Sequence, residues 1–359
     1  MTINVAKNAG FCFGVNRIVE RTLEEAKKGL VYTLGPVTHN KRVMAELEAA
    51  GVIVVNKAAE LEGKPPGTVI IRAHGVSPEE YAKLDALNIR YLDYTCPDVK
   101  KIQRLAERAA CEGRSVIICG DASHPEILGI VGHTGYTAAV IGSLDEAKAL
   151  SYEAKPYTLL AQTTFRADMF DGIRSFLESL GLDLAVYNTI CGHTARTQKE
   201  TGEMSKTADI MLVLGDRSSS NSMKLFEIAL KNQINTFFIE TIEEINEKLL
   251  NLFSSSDMMI GVTAGASTSP AMIKEAVTLM SETNVNSNPN ANAESNFEKM
   301  IAGVSMILRT GETVRGKVIK VANGEIFVDL GYKSDGVVQK GEYSDDTDAD
   351  PAKDLKPGD

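Results

Sequence analysis

Short apolar runs alternate with amphipathic stretches along the first 280 or so residues. The runs are rich in Val, Ile, Leu and Thr, which suit strands. The stretches between them repeat apolar positions at helical spacing. Strands alternating with helices predict parallel α/β units. Six of the runs end in polar loops, and ligands of parallel sheets bind beyond such carboxyl ends of strands.

The alternation carries a hidden threefold repeat. Three segments each open with a cysteine in a glycine- or proline-bearing turn: AGFCFGVNR, DYTCPDVKK and NTICGHTAR. A helical stretch follows each, then a strand with a polar loop: VYTLGPVTHN, SVIICGDASHPE and DIMLVLGDRSSSNS. Next come a β-branched strand and an acidic helix, in GVIVVNKAAELE, TAAVIGSLDEAKAL and NTFFIETIEEINEKL. A last strand and polar loop close each repeat: GTVIIRAHGVS, PYTLLAQTTFR and DMMIGVTAGAS. From each cysteine to the first loop glycine (Gly35, Gly120, Gly215) the offsets are 23, 24 and 24 residues. Three lobes with strand ends facing one axis would bring three cysteines and six loops to one cleft. Ser77-Pro78-Glu79-Glu80 reads as an N-cap, a first-turn proline and a capping-box glutamate, and Ser269-Pro270 repeats the start signal. Such helix N-termini favour an anion at that end of the sheet.

Composition narrows the chemistry. Of 359 residues, 43% are hydrophobic and 24% charged, enough for two or more domains. No apolar run is long enough to span a bilayer. The N-terminus lacks the apolar core and cleavage site of a signal peptide, so a cytoplasmic location and no membrane partner are expected. A net charge of -10 disfavours nonspecific binding to DNA or anionic membranes. Five widely spaced cysteines do not suggest a disulfide framework.

Cys111 and Cys119 sit within a helix and a strand and are expected to serve packing. Cys12, Cys96 and Cys191 occupy one equivalent place, before a helix, whose N-terminus is expected to favour the thiolate. Three thiolates could hold zinc with an open position or an iron–sulfur cluster. Three of the five histidines end strand loops: His39, His74 and His124. Imidazolium groups there, with the hydroxyl and amide donors of Ser218–Ser222 and Thr263–Ser267, suit phosphate oxygens. His133 and His193 fall outside the pattern and are read as structural or as support behind the site.

At these residues the sequence resembles the 4-hydroxy-3-methylbut-2-enyl diphosphate reductase family. The resemblance covers about residues 1–280 through GFCFGV, GPVTHN, RAHGV, DYTCPDV, HPE, QTT, SSSNS and GVTAGAS, in that order. It implies a trefoil of three pseudo-threefold-related α/β lobes around a central iron–sulfur cluster. The lobes would span about 13–95, 96–190 and 191–282, with 1–12 joining the third. One four-iron, four-sulfur cluster would rest on Cys12, Cys96 and Cys191, leaving one iron open. His39, His74, His124, Thr163, Ser219, Ser220, Asn221 and Ser267 match substrate positions. His124, Thr163 and Glu126 match catalytic positions, with Glu126 the proton donor. The implied reaction uses two electrons and two protons, releases water, and yields isopentenyl and dimethylallyl diphosphates. Ferredoxin or flavodoxin would supply the electrons. Two other readings compete with it. One is a zinc-dependent phosphohydrolase using the cysteines and histidines. The other is an RNA-binding protein with a non-catalytic N-terminal scaffold.

Beyond residue 282 the character changes. ETNVNSNPNANAESN reads as a flexible linker, followed by a short amphipathic helix, FEKMIAGVSMIL, so that 283–310 connects the two parts. Residues 311–359 alternate like three strands and resemble the opening of an OB-fold RNA-binding repeat of the ribosomal protein S-one type. Three strands do not close a five-stranded barrel, so a truncated repeat, or a fragment of a longer fusion, is expected. After Thr310 there are eleven Asp and Glu against seven Lys and Arg. Filter retention of this chain with RNA is therefore expected to show no tight binding. Tight, salt-sensitive retention would overturn that.

Overall fold

The computed structural model describes residues 1–250, 252, 258–287, 313–322, 325–330, 336–339, 343 and 354–356. The chain forms two compact units, Met1–Ala291 and Asn292–Asp359.

The first unit opens with β1 (Thr2–Val5), which belongs to the third lobe. Lobe one is α1 (Phe13–Ala26), β2 (Val31–Leu34), α2 (Lys41–Ala49), β3 (Val52–Val55), a 3-10 turn (Ala58–Leu61), β4 (Thr68–Ile71), α3 (Pro78–Ala86) and β5 (Tyr91–Asp93). Lobe two is α4 (Pro97–Cys111), β6 (Ser115–Cys119), α5 (Pro125–Gly132), β7 (Ala139–Ile141), α6 (Leu144–Ala149), β8 (Tyr157–Ala161), α7 (Ala167–Ser179) and β9 (Leu184–Val186). Lobe three is α8 (Gly192–Met204), β10 (Ile210–Leu214), α9 (Ser220–Asn232), β11 (Thr236–Ile239), a second 3-10 turn (Ile242–Glu244), α10 (Glu247–Leu250), β12 (Met259–Ala264) and α11 (Pro270–Ser287).

Each lobe carries a four-stranded sheet, ordered β3-β2-β4-β5, β7-β6-β8-β9 and β11-β10-β12-β1. Every pairing in them is parallel. The three orders are the same, with the N-terminal strand filling in lobe three the place of β5 and β9. Parallel pairing needs helical crossovers, and these cover the sheets, so central strands are apolar throughout. Accordingly β2, β8 and β10 are buried at every position. In lobe two, Phe165, Phe170, Ile173 and Leu177 pack on Ile117, Leu159 and Ala161. On another face, Ile102 and Ala106 meet Ile118, Ile127 and Leu160.

Several local expectations need correction. Of the three acidic helices, the first is a 3-10 turn after β3, the second is α6, and the third splits into a 3-10 turn after β11 and the short α10. Ser77 caps α3 without a side-chain bond. The proposed capping-box partner, Glu80, instead accepts from the Ala58 N–H at 2.6 Å, tying the 3-10 turn to α3. Ser269 does cap as expected, its Oγ accepting from Met272 N at 3.3 Å. The linker expected from 283 begins later, because α11 runs on to Ser287. Extending a formed helix adds one hydrogen bond per residue fixed, which outweighs a polar composition. The rest of the linker and the segment FEKMIAGVSMIL lie outside the described residues.

In the second unit, β13 (Lys317–Ala322), β14 (Glu325–Asp329) and β15 (Gly336–Gln339) form an antiparallel meander in that order. Its first pair has an irregularity between Val318 and Lys320.

Phe170 is fully buried. Phe170→Ala is expected to cost about 3–5 kcal/mol through lost burial and the cavity left behind. Chemical denaturation of the chain checks this, and a loss under about 1 kcal/mol would contradict the packing described.

Candidate active site

The three repeat cysteines are the N-cap residues of α1, α4 and α8. Each is fixed in two ways. Its carbonyl accepts the first helical bond, from Asn16, Lys100 and Ala195 in turn, at 3.0, 2.9 and 2.9 Å. Its backbone N–H donates to a loop after an equivalent strand: Cys12 to Ala266 O (3.4 Å) after β12, Cys96 to Ala73 O (3.0 Å) after β4, Cys191 to Thr163 O (2.9 Å) after β8. Thus every cysteine is pinned to the C-terminal edge of the sheet that precedes it around the ring.

All three cysteines line one cavity of about 120 Å³. The sulfurs of Cys12 and Cys96 each lie 3.9 Å from the point a Cβ on Gly14 would occupy, so the glycine leaves room between them. Cys119 is buried in β6, as expected for packing, but Cys111 is exposed at the end of α4.

The expectation that helix N-termini favour thiolates does not hold in this metal-free arrangement. Burial pushes the Cys96 thiol up to about 12, and the Asp98 carboxylate adds to the effect. Cys191 is raised too, by burial first and then by Asp98, to which it also hydrogen-bonds. The N–H groups of Asp98 and Val99 on Cys96, and of Thr194 on Cys191, pull the other way but are outweighed. Three sulfurs so placed ionise when a cation shares the cavity.

The same cavity holds His39, His74 and His124. Their ring centroids are 5.1, 5.6 and 5.2 Å apart. One nitrogen from each falls within 4.8 Å of the others, close enough for a metal ion as well as for an anion. The imidazolium expectation also needs correction. Burial lowers all three, His124 to about 4, and Arg72 lowers each further. His124 caps α5, its Nδ1 accepting from Glu126 N at 3.2 Å. A neutral His124 therefore carries its proton on Nε2. The group is three neutral donors rather than three cations.

Ser219, Ser220, Asn221 and Ser267 line the cavity from lobe three. Ser219 caps α9, and Ser267 Oγ donates to Ser219 Oγ at 3.2 Å. Asn40, the α2 cap, donates its Nδ2 to Ser267 O at 2.8 Å, bridging lobes one and three. Several polar atoms on this cavity are buried without a protein partner: Thr38 Oγ1, His39 Nε2, His74 Nδ1, and both Oδ1 and Nδ2 of Asn221. Unmade bonds of this kind cost about 1–3 kcal/mol each, so their clustering marks a place for a polar ligand.

Glu126 and Thr163 form a clasp at the cavity wall. Glu126 Oε1 accepts from Thr163 N at 2.7 Å, and Thr163 Oγ1 donates to Oε2 at 2.6 Å. Glu126 is 2% exposed. Burial raises its carboxyl, and the two Thr163 bonds only partly offset this.

The model of the LytB protein family matches residues 3–281, and that of the S1 RNA binding domain matches 307–359. The chain belongs to the LytB family. A LytB relative named 4-hydroxy-3-methylbut-2-enyl diphosphate reductase, from Clostridium tetani, is 34% identical over 363 residues, covering 100% of this chain and 55% of the relative. Another of that name, from Caldanaerobacter subterraneus subsp. tengcongensis, is 38% identical over 281 residues, covering 77% of this chain and 96% of its own. This chain thus spans about half the length of relatives such as the first. A solved (E)-4-hydroxy-3-methyl-but-2-enyl diphosphate reductase, described as the terminal enzyme of the non-mevalonate pathway, superposes with a TM-score of 0.57 at 32% identity. It covers 79% of this chain and 100% of that one. The Plasmodium falciparum reductase structure shares the fold, with a TM-score of 0.73 at 24% identity over 84% and 98% of the two chains. The LytB fold is therefore the three-lobed parallel α/β arrangement described above. Among the described residues, no helix is long and apolar enough to cross a membrane.

Sequence reasoning missed part of this site. His193, read as structural or as support behind the site, lines the cavity itself two residues after Cys191, and Thr194 and Thr164 line it too. Placement after a cysteine cap was the available signal. Asp98 was also missed, although its position two residues after Cys96 puts it at the same helix start.

In metal-free protein at pH 8, iodoacetamide is expected to label exposed Cys111 first. Cys96 should react about 10²-fold more slowly than an ordinary thiol. Its rate should climb with pH toward 12 as thiolate forms. Equal labelling of Cys96 and Cys111 at pH 8 would contradict the burial described.

Proposed function

We propose that the LytB unit converts 4-hydroxy-3-methylbut-2-enyl diphosphate to isopentenyl and dimethylallyl diphosphates. The C–OH bond breaks, two electrons and two protons are taken up, and water leaves. One observation carries the reading: three cysteines and a set of unpaired anion-binding groups line the same buried cavity.

The donor set fits a four-iron, four-sulfur cluster on Cys12, Cys96 and Cys191. Three sulfurs face one space, burial and the Asp98 carboxylate hold Cys96 and Cys191 as thiols until a cation joins them, and Gly14 keeps that space clear. When bound, such a cluster supplies the electrons and one iron without a protein ligand, able to act as a Lewis acid. Ferredoxin or flavodoxin is the proposed electron source. The reductase is assigned to residues 1–282, with lobes at 13–95, 96–190 and 191–282 plus 1–12, and the repeat to 311–359.

The chain's own residues do the remaining work. His39, His74 and His124 donate N–H groups to the diphosphate, and Ser219, Ser220, Asn221 and Ser267 donate hydroxyl and amide hydrogens. The Nδ1 bond of His124 fixes which nitrogen donates. Glu126, its carboxyl raised by burial, delivers a proton at the leaving hydroxyl, and Thr163 holds the carboxyl in place. Burial excludes bulk water from that transfer.

Anaerobically prepared protein with a reduced dye as electron source is expected to consume the substrate. Glu126→Gln should retain iron yet turn over about 10²-fold more slowly. Full activity in that variant would remove Glu126 as donor, and no activity in the iron-loaded wild type would sink the reading.

A further inference from the structure

A diphosphate site built on neutral imidazoles lacks charge. The three histidines are held neutral, and Thr38, Ser219, Ser220, Asn221 and Ser267 are uncharged. A diphosphate ester brings several negative charges, which hydrogen bonds alone balance poorly in a buried cavity. Two cations act on the histidines. Lys224 acts on His124, but Glu227 and Asp121 already offset it. Arg72 acts on His39, His74 and His124.

Arg72 has no such offset. Burial is what shifts it, to about 10, so it stays charged at neutral pH. Its Nε is buried without a hydrogen-bond partner. Its place is built by backbone: a Cβ on Gly35 would overlap the guanidinium, and Gly35 sits at φ +74, where side chains are disfavoured. Gly35 opens the loop that carries His39, and Arg72 stands two residues before His74. The guanidinium therefore lies against the first of lobe one's two histidine loops while belonging to the second. A largely buried guanidinium with an unpartnered Nε is costly, and an incoming anion would reduce that cost.

We propose that Arg72 is the fixed positive charge of the anion site, a positioning residue that attracts the diphosphate through space without lining the cavity. This rests on reading the cavity as a diphosphate site. One charge then serves two ends: it adds to the burial that keeps the imidazoles as neutral donors, and it favours the anion they receive.

The test is calorimetric titration of the full, iron-loaded chain with inorganic diphosphate and with inorganic phosphate. Arg72→Gln should bind diphosphate about 10- to 100-fold more weakly, with a smaller loss for phosphate, because the effect scales with ligand charge. Arg72→Lys, which keeps the charge and loses the planar fork, should stay within about fivefold of wild type for diphosphate. Wild-type affinity in Arg72→Gln, or equal losses in both variants, would overturn the assignment while leaving the diphosphate site intact. Should Arg72→Gln not fold, Arg72→Lys decides: retained affinity supports the proposal and a tenfold loss overturns it. A wild type that binds no diphosphate overturns the reading of the cavity and this proposal together.

Discussion

Three backbone hydrogen bonds set the chemistry of this molecule. The N–H groups of Cys12, Cys96 and Cys191 bond to Ala266, Ala73 and Thr163, each on a loop at the end of an equivalent sheet strand. A helix N-cap has to satisfy its own N–H outside its helix. Here the neighbouring lobe's loop does so, and each helix start is thereby fixed to the edge of another sheet. The ring closes because β1 joins the sheet of lobe three, which brings the chain's first residues beside β12. Three sulfurs from distant parts of the sequence then reach one cavity without any of them needing a local motif.

The cavity places costly groups together. Thiols, imidazoles and a carboxyl are largely withdrawn from water, and this moves each toward its neutral form. The protein thus gathers weak acids and unpaired donors in one place. A cation among the sulfurs and an anion among the histidines would each restore what burial removes. The same burial raises the Glu126 carboxyl, which is what its proposed part as proton donor calls for. The proposed binding and proton delivery share one physical cause, exclusion of water from a polar cavity.

Much of this was legible in the sequence because the repeat was. Equivalent spacing placed Cys12, Cys96 and Cys191 together, and the loop ends placed His39, His74, His124, Ser219, Asn221 and Ser267 around them. The fourth strand of each sheet was not legible. β5 and β9 are three residues long and only half-buried, and so lack a clear apolar run. Ionisation states were misread for a related reason. Sequence position shows a helix start, which favours an anion, but not the burial that outweighs it at Cys96 and Cys191. Glu80 likewise had the right spacing for a capping box, yet a tertiary partner, the Ala58 N–H, took its carboxylate.

The central claim is that three converging cysteines hold iron and sulfide together. Quantifying iron, acid-labile sulfide and zinc in anaerobically isolated protein, beside a Cys96→Ser variant, tests it most directly. The account predicts about four irons and four sulfides per wild-type chain, and a large loss of both in the variant. Stoichiometric zinc without sulfide, or unchanged iron and sulfide in Cys96→Ser, would contradict it.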